Sequence, residues 1–245
     1  MLWGSFGTVH ILSLLLGAGL IIGLFFLLRK RSAKVQTLVL GILSFSGVAA
    51  IVYNLITWGS PYEYLPLHLC SLTAMVLPVA VFTRSKVLSN LLLLWSLGAV
   101  MALVVNTVQA DFDVLSPTFF FYFFPHLLEF GIPILLFRLG LVKKDVKCVV
   151  STLLITLCVY TLIHFANVLL NNYFATNEIC NPSGAIVQVN YMYSIRPENP
   201  LLALFWSWFP HPYAYMLPVV LIVLIYLGLV YLKQIIAGFK KKVMA

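Results

Sequence analysis

Seven apolar blocks, each long enough to cross a lipid bilayer, constrain the fold of this chain more than any motif does. A helix needs about 17–25 apolar residues to span the hydrocarbon core. The blocks lie at about residues 9–28, 35–57, 66–82, 87–107, 118–138, 148–170 and 212–232. The pattern predicts an all-α polytopic membrane protein with seven transmembrane helices, forming a single domain over residues 1–245.

Lysine and arginine are confined to alternate connections between these blocks. All but one of the 15 Lys and Arg residues lie in segments 29–34, 84–86 and 138–147 or after residue 232; the exception is Arg196. Because short loops rich in Lys and Arg stay in the cytoplasm, we expect the N-terminus outside and the C-terminus inside. We expect a multi-pass protein of the cell membrane, in particular the bacterial cytoplasmic membrane.

The composition excludes the other class of protein that a basic chain suggests. Only 9% of the residues are charged, against roughly 25% in a soluble domain. The net charge of +8 comes from cations that flank the apolar blocks, as expected on the cytoplasmic side of a membrane protein. We therefore expect no nucleic-acid partner. The oligomeric state is left open.

One connection, residues 171–211, is far longer than the others. Its first part is polar, and its second part is rich in Tyr, Trp, Phe and Leu. Long loops in compact domains tend to be functional, and Trp and Tyr favour the headgroup level of a membrane. We predict that residues 199–209 form a helix or re-entrant turn in the outer interface, and the alternative is a disordered loop resting on lipid.

Polar side chains cluster in the outer halves of the predicted helices. Buried polar groups are costly in a membrane and are usually functional, although a single one often makes only an interhelical hydrogen bond. All five histidines lie in the outer halves, which predicts a polar cavity open toward that side. The candidate substrate-binding residues there are Asn54, Asn106, His164, Asn167 and His211.

Two segments carry the sharpest chemistry. His68 and Cys70 follow Pro66 near the start of the third block, where the helix N-terminus favours a thiolate. The effect fades after one turn, so Cys70 receives little of it. Two residues apart on a helix, the two side chains face different directions, so His68 is a poor base for Cys70. His126 of the fifth block is the better base, and Glu129, three residues later, could orient its imidazole. We therefore predict Cys70, His126, Glu129 and His68 as a catalytic group for acyl transfer from a lipid ester.

The motifs in this region resemble a known family. Leu65-Pro66-Leu67-His68-Leu69-Cys70, Pro125-His126 and Asn190-Tyr191-Met192-Tyr193 are similar to motifs of the bacterial YwaF proteins and the eukaryotic transmembrane protein 164 family. The resemblance covers most of the chain. Eukaryotic members are regarded as phospholipid acyltransferases that use a Cys and a His. It implies Cys70 as nucleophile, His126 as base, Asn190 and Tyr191 near the substrate, phospholipid or lysolipid substrates, and no cofactor.

Three alternatives stay open. His68, His126 and His211 could ring a Zn²⁺ with Glu129 in a lipid hydrolase. The chain could instead be a transporter or binding protein without catalysis. Cys70 and Cys180 both fall toward the outer side, so they could form a structural disulfide.

Overall fold

The computed structural model of the protein describes residues 2–4, 6–105 and 112–243. Helices make up most of this part, joined by three short 3₁₀ turns. The helices are α1 (Thr8–Leu28), α2 (Ala33–Ser44), α3 (Ser46–Thr57), α4 (Leu69–Thr83), α5 (Lys86–Val105), α6 (Pro117–Arg138), α7 (Cys148–Thr176), α8 (Pro200–Trp208) and α9 (Leu217–Val243). A two-stranded antiparallel ribbon pairs β1 (Leu2–Trp3) with β2 (Phe112–Asp113).

Several helical segments are long and apolar enough to cross a membrane. Within the described ranges there are six, and the chain is therefore an all-α, multi-pass membrane protein, as the sequence predicts. They are Thr8–Leu28, Ala33–Thr57, Lys86–Val105, Pro117–Arg138, Cys148–Thr176 and Ala214–Gly238.

The predicted third span is shorter than expected. It forms the 15-residue helix α4, about 22 Å long at 1.5 Å per residue, against a hydrocarbon core of about 30 Å. The helix begins at Leu69 and not at Pro66, because residues 61–64 form a 3₁₀ turn and the chain stays irregular up to His68. Arg84, in the left-handed conformation, ends it.

The predicted second span is bent at Phe45 into α2 and α3. The Ser44 hydroxyl donates to the Gly41 carbonyl at 2.6 Å, and the Phe45 amide reaches back to Ile42 in a tighter turn; such back-bonding bends helices. The segment packs tightly on α4 through glycines, with Gly41 against Phe82 and Gly47 against Ala74. Since residue numbers rise along one helix as they fall along the other, α4 runs antiparallel to α2 and α3.

Helices α5 and α6 form the centre of the bundle. More than half of each is buried (61% and 56%), whereas only 11% of α1 and of α7 is buried. The peripheral helices therefore expose apolar side chains to lipid, and the central ones pack on protein.

His10 belongs to the packing of the N-terminal ribbon. Its ring lies 4.5 Å from that of the buried Trp3. The Phe6 amide donates to Nδ1 at 3.2 Å, so the proton is on Nε2, which donates to the Leu103 carbonyl at 2.7 Å. With both ring nitrogens engaged and the side chain fully buried, His10 does not line an outer cavity.

The long connection after α7 is folded. Helix α7 continues to Thr176, six residues beyond the predicted end of its span. Asn199 caps α8 by accepting from the Leu202 amide at 3.0 Å, and Pro200 occupies the first helical position, as both residues favour. The prediction of a helix within residues 199–209 is confirmed.

Candidate active site

Cys70 lies in the first turn of α4. His68 is the residue before the helix, and its carbonyl accepts the first helical hydrogen bond, from the Leu72 amide at 3.0 Å. Because the helix starts later than the sequence predicts, Cys70 sits closer to the positive end of the helix dipole than expected. Unpaired amides and this dipole both favour a thiolate. Cys70 is a free cysteine at a partly buried position.

Helix α6 runs parallel to α4 on the same side of α3. The hydroxyls of Tyr53 on α3 and Thr118 on α6 are 3.3 Å apart near the start of α6. Deeper in the bundle, a methyl added to Gly47 would lie 3.1 Å from Glu129 Oε1 and 2.6 Å from Ala74 Cβ. Helix α6 is therefore antiparallel to α3, as α4 is, and Ala74 and Glu129 meet at one level beside Gly47.

This level puts Cys70 and His126 at similar depth in the bundle. Cys70 precedes Ala74 by one turn of α4, a rise of about 6 Å, and His126 precedes Glu129 by nearly one turn of α6, a rise of about 4.5 Å. Residues three and four apart share a helix face. Both Cys70 and His126 lie close enough to Glu129 to interact with its charge. Cys70, His126 and Glu129 therefore lie at similar depth on neighbouring helices.

The hydrogen bonding of His126 defines its tautomer. Nδ1 lies 2.6 Å from the Tyr122 carbonyl oxygen, one turn earlier on α6. A carbonyl only accepts, so Nδ1 carries the proton and Nε2 of the neutral ring is an acceptor. Helix α6 continues through Pro125 and Pro133, so Tyr122 and His126 stay one helical turn apart. Tyr122, a residue the sequence analysis did not select, supplies the orienting contact that was predicted for Glu129.

Glu129 is buried in the middle of the bundle. Its side chain is 3% exposed, and within the described part of the chain Oε2 has no hydrogen-bond partner. A buried carboxyl without a full set of partners is costly and is seldom retained for packing alone. Its contacts with the charges of His126 and Cys70 fit a group that acts on the site electrostatically.

His68 lies under residues Asn190–Ser194, which fold over the start of α4 and which we call the covering segment. The Met192 amide donates to Nδ1 of His68 at 3.4 Å, and the rings of Tyr191 and Tyr193 lie 5.3 and 5.6 Å away. Because Nδ1 accepts, the neutral ring carries its proton on Nε2, opposite to the tautomer of His126. The two histidines therefore offer one donor and one acceptor.

Two asparagines of α7 fix the covering segment. The Asn167 side chain accepts from the Tyr191 amide at 3.0 Å and donates to the Tyr191 carbonyl at 2.8 Å and the Ser194 hydroxyl at 2.9 Å. One turn later, Asn171 makes the same pair of bonds to Val189, at 2.7 and 2.8 Å. Asn167 is fully buried and uses all its polar hydrogens, so it holds the covering segment and does not face a cavity.

The other residues of this segment have mainly internal partners. The Tyr191 hydroxyl donates to the Tyr62 carbonyl, and burial raises the pKa of this phenol to about 12, so it stays protonated. Asn190 donates to the Arg196 carbonyl and to Glu198, both at 2.8 Å. His164 Nδ1 lies 3.1 Å from the Ser194 hydroxyl. These predicted binding residues surround His68 mainly as a scaffold.

Two predicted binding residues lie elsewhere, and a third falls outside the described residues. Asn54 is partly buried on α3, about two turns beyond Gly47. His211 is exposed in the connection between α8 and α9. Asn106 lies outside the described residues.

The structure also bears on two alternatives. Over the described ranges, no three His, Cys, Asp or Glu side chains gather closely enough to hold one metal ion, so the proposed ring of His68, His126, His211 and Glu129 is not assembled. Cys180 is an exposed free thiol, and Cys70 is also free, so the disulfide is not formed.

Gly47 was missed by sequence reasoning. A glycine in an apolar helix is a common sign of close helix contact in membranes, which is a signal that the sequence does contain.

Comparison with known proteins agrees with the motifs. The model of the TMEM164 family matches residues 5–231. No curated protein and no solved structure matches the chain. Since the match covers the first through the last helix, including Cys70 and His126, the chain belongs to the TMEM164 family.

Proposed function

We propose that the protein is a membrane acyltransferase that moves an acyl chain from a phospholipid ester to a hydroxyl or amine acceptor, such as a lysolipid, through a thioester on Cys70. The observation that supports the proposal is the hydrogen bond of His126 Nδ1 to the Tyr122 carbonyl, which leaves Nε2 as an acceptor at a depth similar to that of Cys70 on a parallel helix. A general base for a thiol needs such an acceptor nitrogen within hydrogen-bond reach of Sγ.

In the first half-reaction, Nε2 of His126 takes the proton from Cys70 Sγ. The thiolate attacks the ester carbonyl carbon, and the tetrahedral intermediate collapses by breaking the bond to the glycerol oxygen. His126 returns the proton to this oxygen, which leaves as the hydroxyl of a lysolipid. In the second half-reaction, His126 takes the acceptor's proton, the acceptor attacks the thioester, and the thiolate leaves and recovers its proton.

His68 suits a different role. Its Nδ1 is occupied by the Met192 amide, so Nε2–H is a donor. We propose that it donates to the oxyanion of the tetrahedral intermediate, together with unpaired amides of the first turn of α4. Preorganised donors of this kind contribute about 2.7–4 kcal/mol each.

Glu129 acts through His126. When His126 takes the thiol proton it becomes a cation, and the nearby Glu129 carboxyl group stabilises that cation electrostatically in a low-dielectric site. In this role Glu129 is a positioning residue, and the Tyr122 carbonyl keeps the ring in place.

The membrane topology belongs to the same proposal. We count the short helix α4 as a membrane helix in addition to the six longer segments, which makes seven. The N-terminus then lies outside and the C-terminus lies in the cytoplasm of a bacterial cell. The cations that follow α1, α4 and α6 and those in the C-terminal part of α9 support this orientation. The Cys–His pair then opens toward the outer leaflet beneath the Asn190–Ser194 segment.

The decisive experiment follows acyl transfer in proteoliposomes. The donor is a phospholipid labelled in its acyl chain, the acceptor is a lysolipid, and intact-mass spectrometry detects the acylated enzyme. We expect Cys70→Ala to abolish both transfer and acylation, and His126→Ala to abolish acylation of Cys70. Cys158→Ala, which removes an exposed thiol on α7, is the matched control. Transfer that persists in Cys70→Ala contradicts the proposal.

A further inference from the structure

A basic cleft lies at the end of the bundle opposite Cys70. It has a volume of about 520 Å³ between the end of α6, the following loop and α9. Three of its six lining side chains are cations: Arg138, Lys144 and Lys233. Arg138 is twelve residues beyond His126 on α6, about 18 Å along the helix, so the cleft is separate from the candidate active site.

The cations of this cleft have no acidic partner among the described residues. Over the described ranges, none of the three is within ion-pair distance of a carboxylate. The nearest carboxylate along the chain, Asp145, is paired with Lys86. Three cations that converge without a counter-charge repel one another in the absence of an anion. The cleft therefore suits a ligand with at least one negative charge.

The walls of the cleft are held by hydrogen bonds between the loop and α9. Gln234 accepts from the Val146 amide at 2.7 Å and donates to the Lys144 carbonyl at 2.8 Å. The Lys144 ammonium donates to the Val230 carbonyl at 3.1 Å. The cations are thus carried by elements fixed relative to each other.

An apolar groove reaches the same arginine. It has a volume of about 400 Å³ and runs between α1 and α6, lined by apolar side chains and by Arg138. Its apolar lining residues are Ile21, Ile22, Phe25, Ile134 and Leu135. A cationic cleft and an apolar groove that meet at one arginine match a molecule with an anionic head and a hydrocarbon tail.

We propose that this surface binds a phospholipid with a negatively charged headgroup from the leaflet at the cation-rich end of the bundle. The phosphate lies among Arg138, Lys144 and Lys233, and an acyl chain lies in the α1–α6 groove. Basic clefts between membrane helices bind anionic headgroups in this way. A free phosphate shares the headgroup chemistry but does not use the groove.

The test measures phosphatidylglycerol binding to the full-length protein in detergent by native mass spectrometry. We expect Arg138→Gln/Lys233→Gln to weaken the tightest phosphatidylglycerol site about thirtyfold, because each cation near a membrane surface contributes about 1 kcal/mol. Lys144 is left unchanged because it also holds α9. Lys30→Gln/Lys34→Gln, an equal charge change at exposed positions just before and on α2, is the control and should bind like the wild type. Unchanged affinity in the double variant overturns the proposal.

Further measurements distinguish a lipid headgroup from free phosphate as the bound anion and test whether the groove holds an acyl chain. Phosphatidylcholine with the same chains should bind more weakly than phosphatidylglycerol, and inorganic phosphate at equal concentration should not displace the lipid. Ile22→Trp, which fills the groove, should weaken phosphatidylglycerol binding, whereas Leu16→Trp, at an exposed position of α1 outside the groove, should not. Equal binding of the two lipids, displacement by phosphate, or no effect of Ile22→Trp overturns the proposal of a lipid site.

Discussion

Gly47 offers the sharpest test of the candidate site, because it touches both helices that carry the reactive side chains. In Gly47→Ala the new methyl would lie 2.6 Å from Ala74 Cβ and 3.2 Å from Ala74 Cα. Carbon atoms prefer about 3.5–4.0 Å. Ala74 has no flexible end that can turn away, so α3 and α4 must separate by about 1 Å.

This separation moves Cys70 relative to His126, since Cys70 lies one turn from Ala74 on the same helix. A misplacement of about 1 Å can cost about a hundredfold in rate. The cost in stability is smaller, because overpacking destabilises by about 1–3 kcal/mol and the gain in helix propensity offsets about 1 kcal/mol. We therefore expect a folded protein with strongly reduced acyl transfer.

Two readouts follow the change: the rate of acyl transfer in proteoliposomes, and the rate at which a lipid-like electrophile labels Cys70 relative to Cys158. Gly41→Ala is a matched control, because its clash is with the Phe82 ring, which is half exposed and can turn outward. Gly19→Ala has open space. Full transfer and labelling in Gly47→Ala, or a loss that only follows the amount of folded protein, would refute the reasoning.

Three other substitutions test separate contacts. His126→Gln should lower the rate of Cys70 acylation by about 10²–10⁴-fold through loss of the general base, measured in single-turnover assays; an unchanged rate would remove His126 from the mechanism. Asn167→Ala should lower the free energy of unfolding by about 1–3 kcal/mol, because it leaves buried amide and carbonyl groups of the covering segment unpaired; denaturant titration in detergent measures the loss. Asp145→Asn should lower the unfolding temperature at neutral pH only. Hydrogen bonding to Lys86 lowers the pKa of Asp145. The stabilisation by the ionised Asp145 is therefore present above pH about 4 and is lost as pH falls through the lowered pKa. A difference in unfolding temperature from the wild type that persists at low pH would contradict this assignment.

The membrane class and most helix positions could be read from the sequence, because they depend on local apolar length. The end of α7 could not, because Asn167 and Asn171 bind a segment about twenty residues away and stabilise the turns that carry them. The start of α4 was placed at Pro66, whereas the turn at residues 61–64 delays it to Leu69.

The same distinction applies to the site. Motif chemistry selected Cys70 and His126, but the tautomer of His126 depends on the Tyr122 carbonyl, a contact that any residue at position 122 supplies. The role of Gly47 depends on the absence of a side chain and on which helix faces it. Such contacts follow from tertiary packing and leave little mark in residue types.

The paired bonds of Asn167 and Asn171 have a consequence for how this chain can vary. Four residues of helix rise about 6.0 Å, and two residues of extended chain about 6.6 Å, so two amide side chains on α7 pair with the backbone of Val189 and Tyr191 much as a neighbouring strand would. The match holds only in one register. One residue inserted between positions 167 and 171 would rotate one amide side chain by about 100° and break its hydrogen bonds to the covering segment. Insertions near the exposed Gly184 leave these hydrogen bonds intact. Length changes in this loop should therefore accumulate at the Asn181–Ala185 turn, and transplanting the covering segment into another protein requires α7 as well.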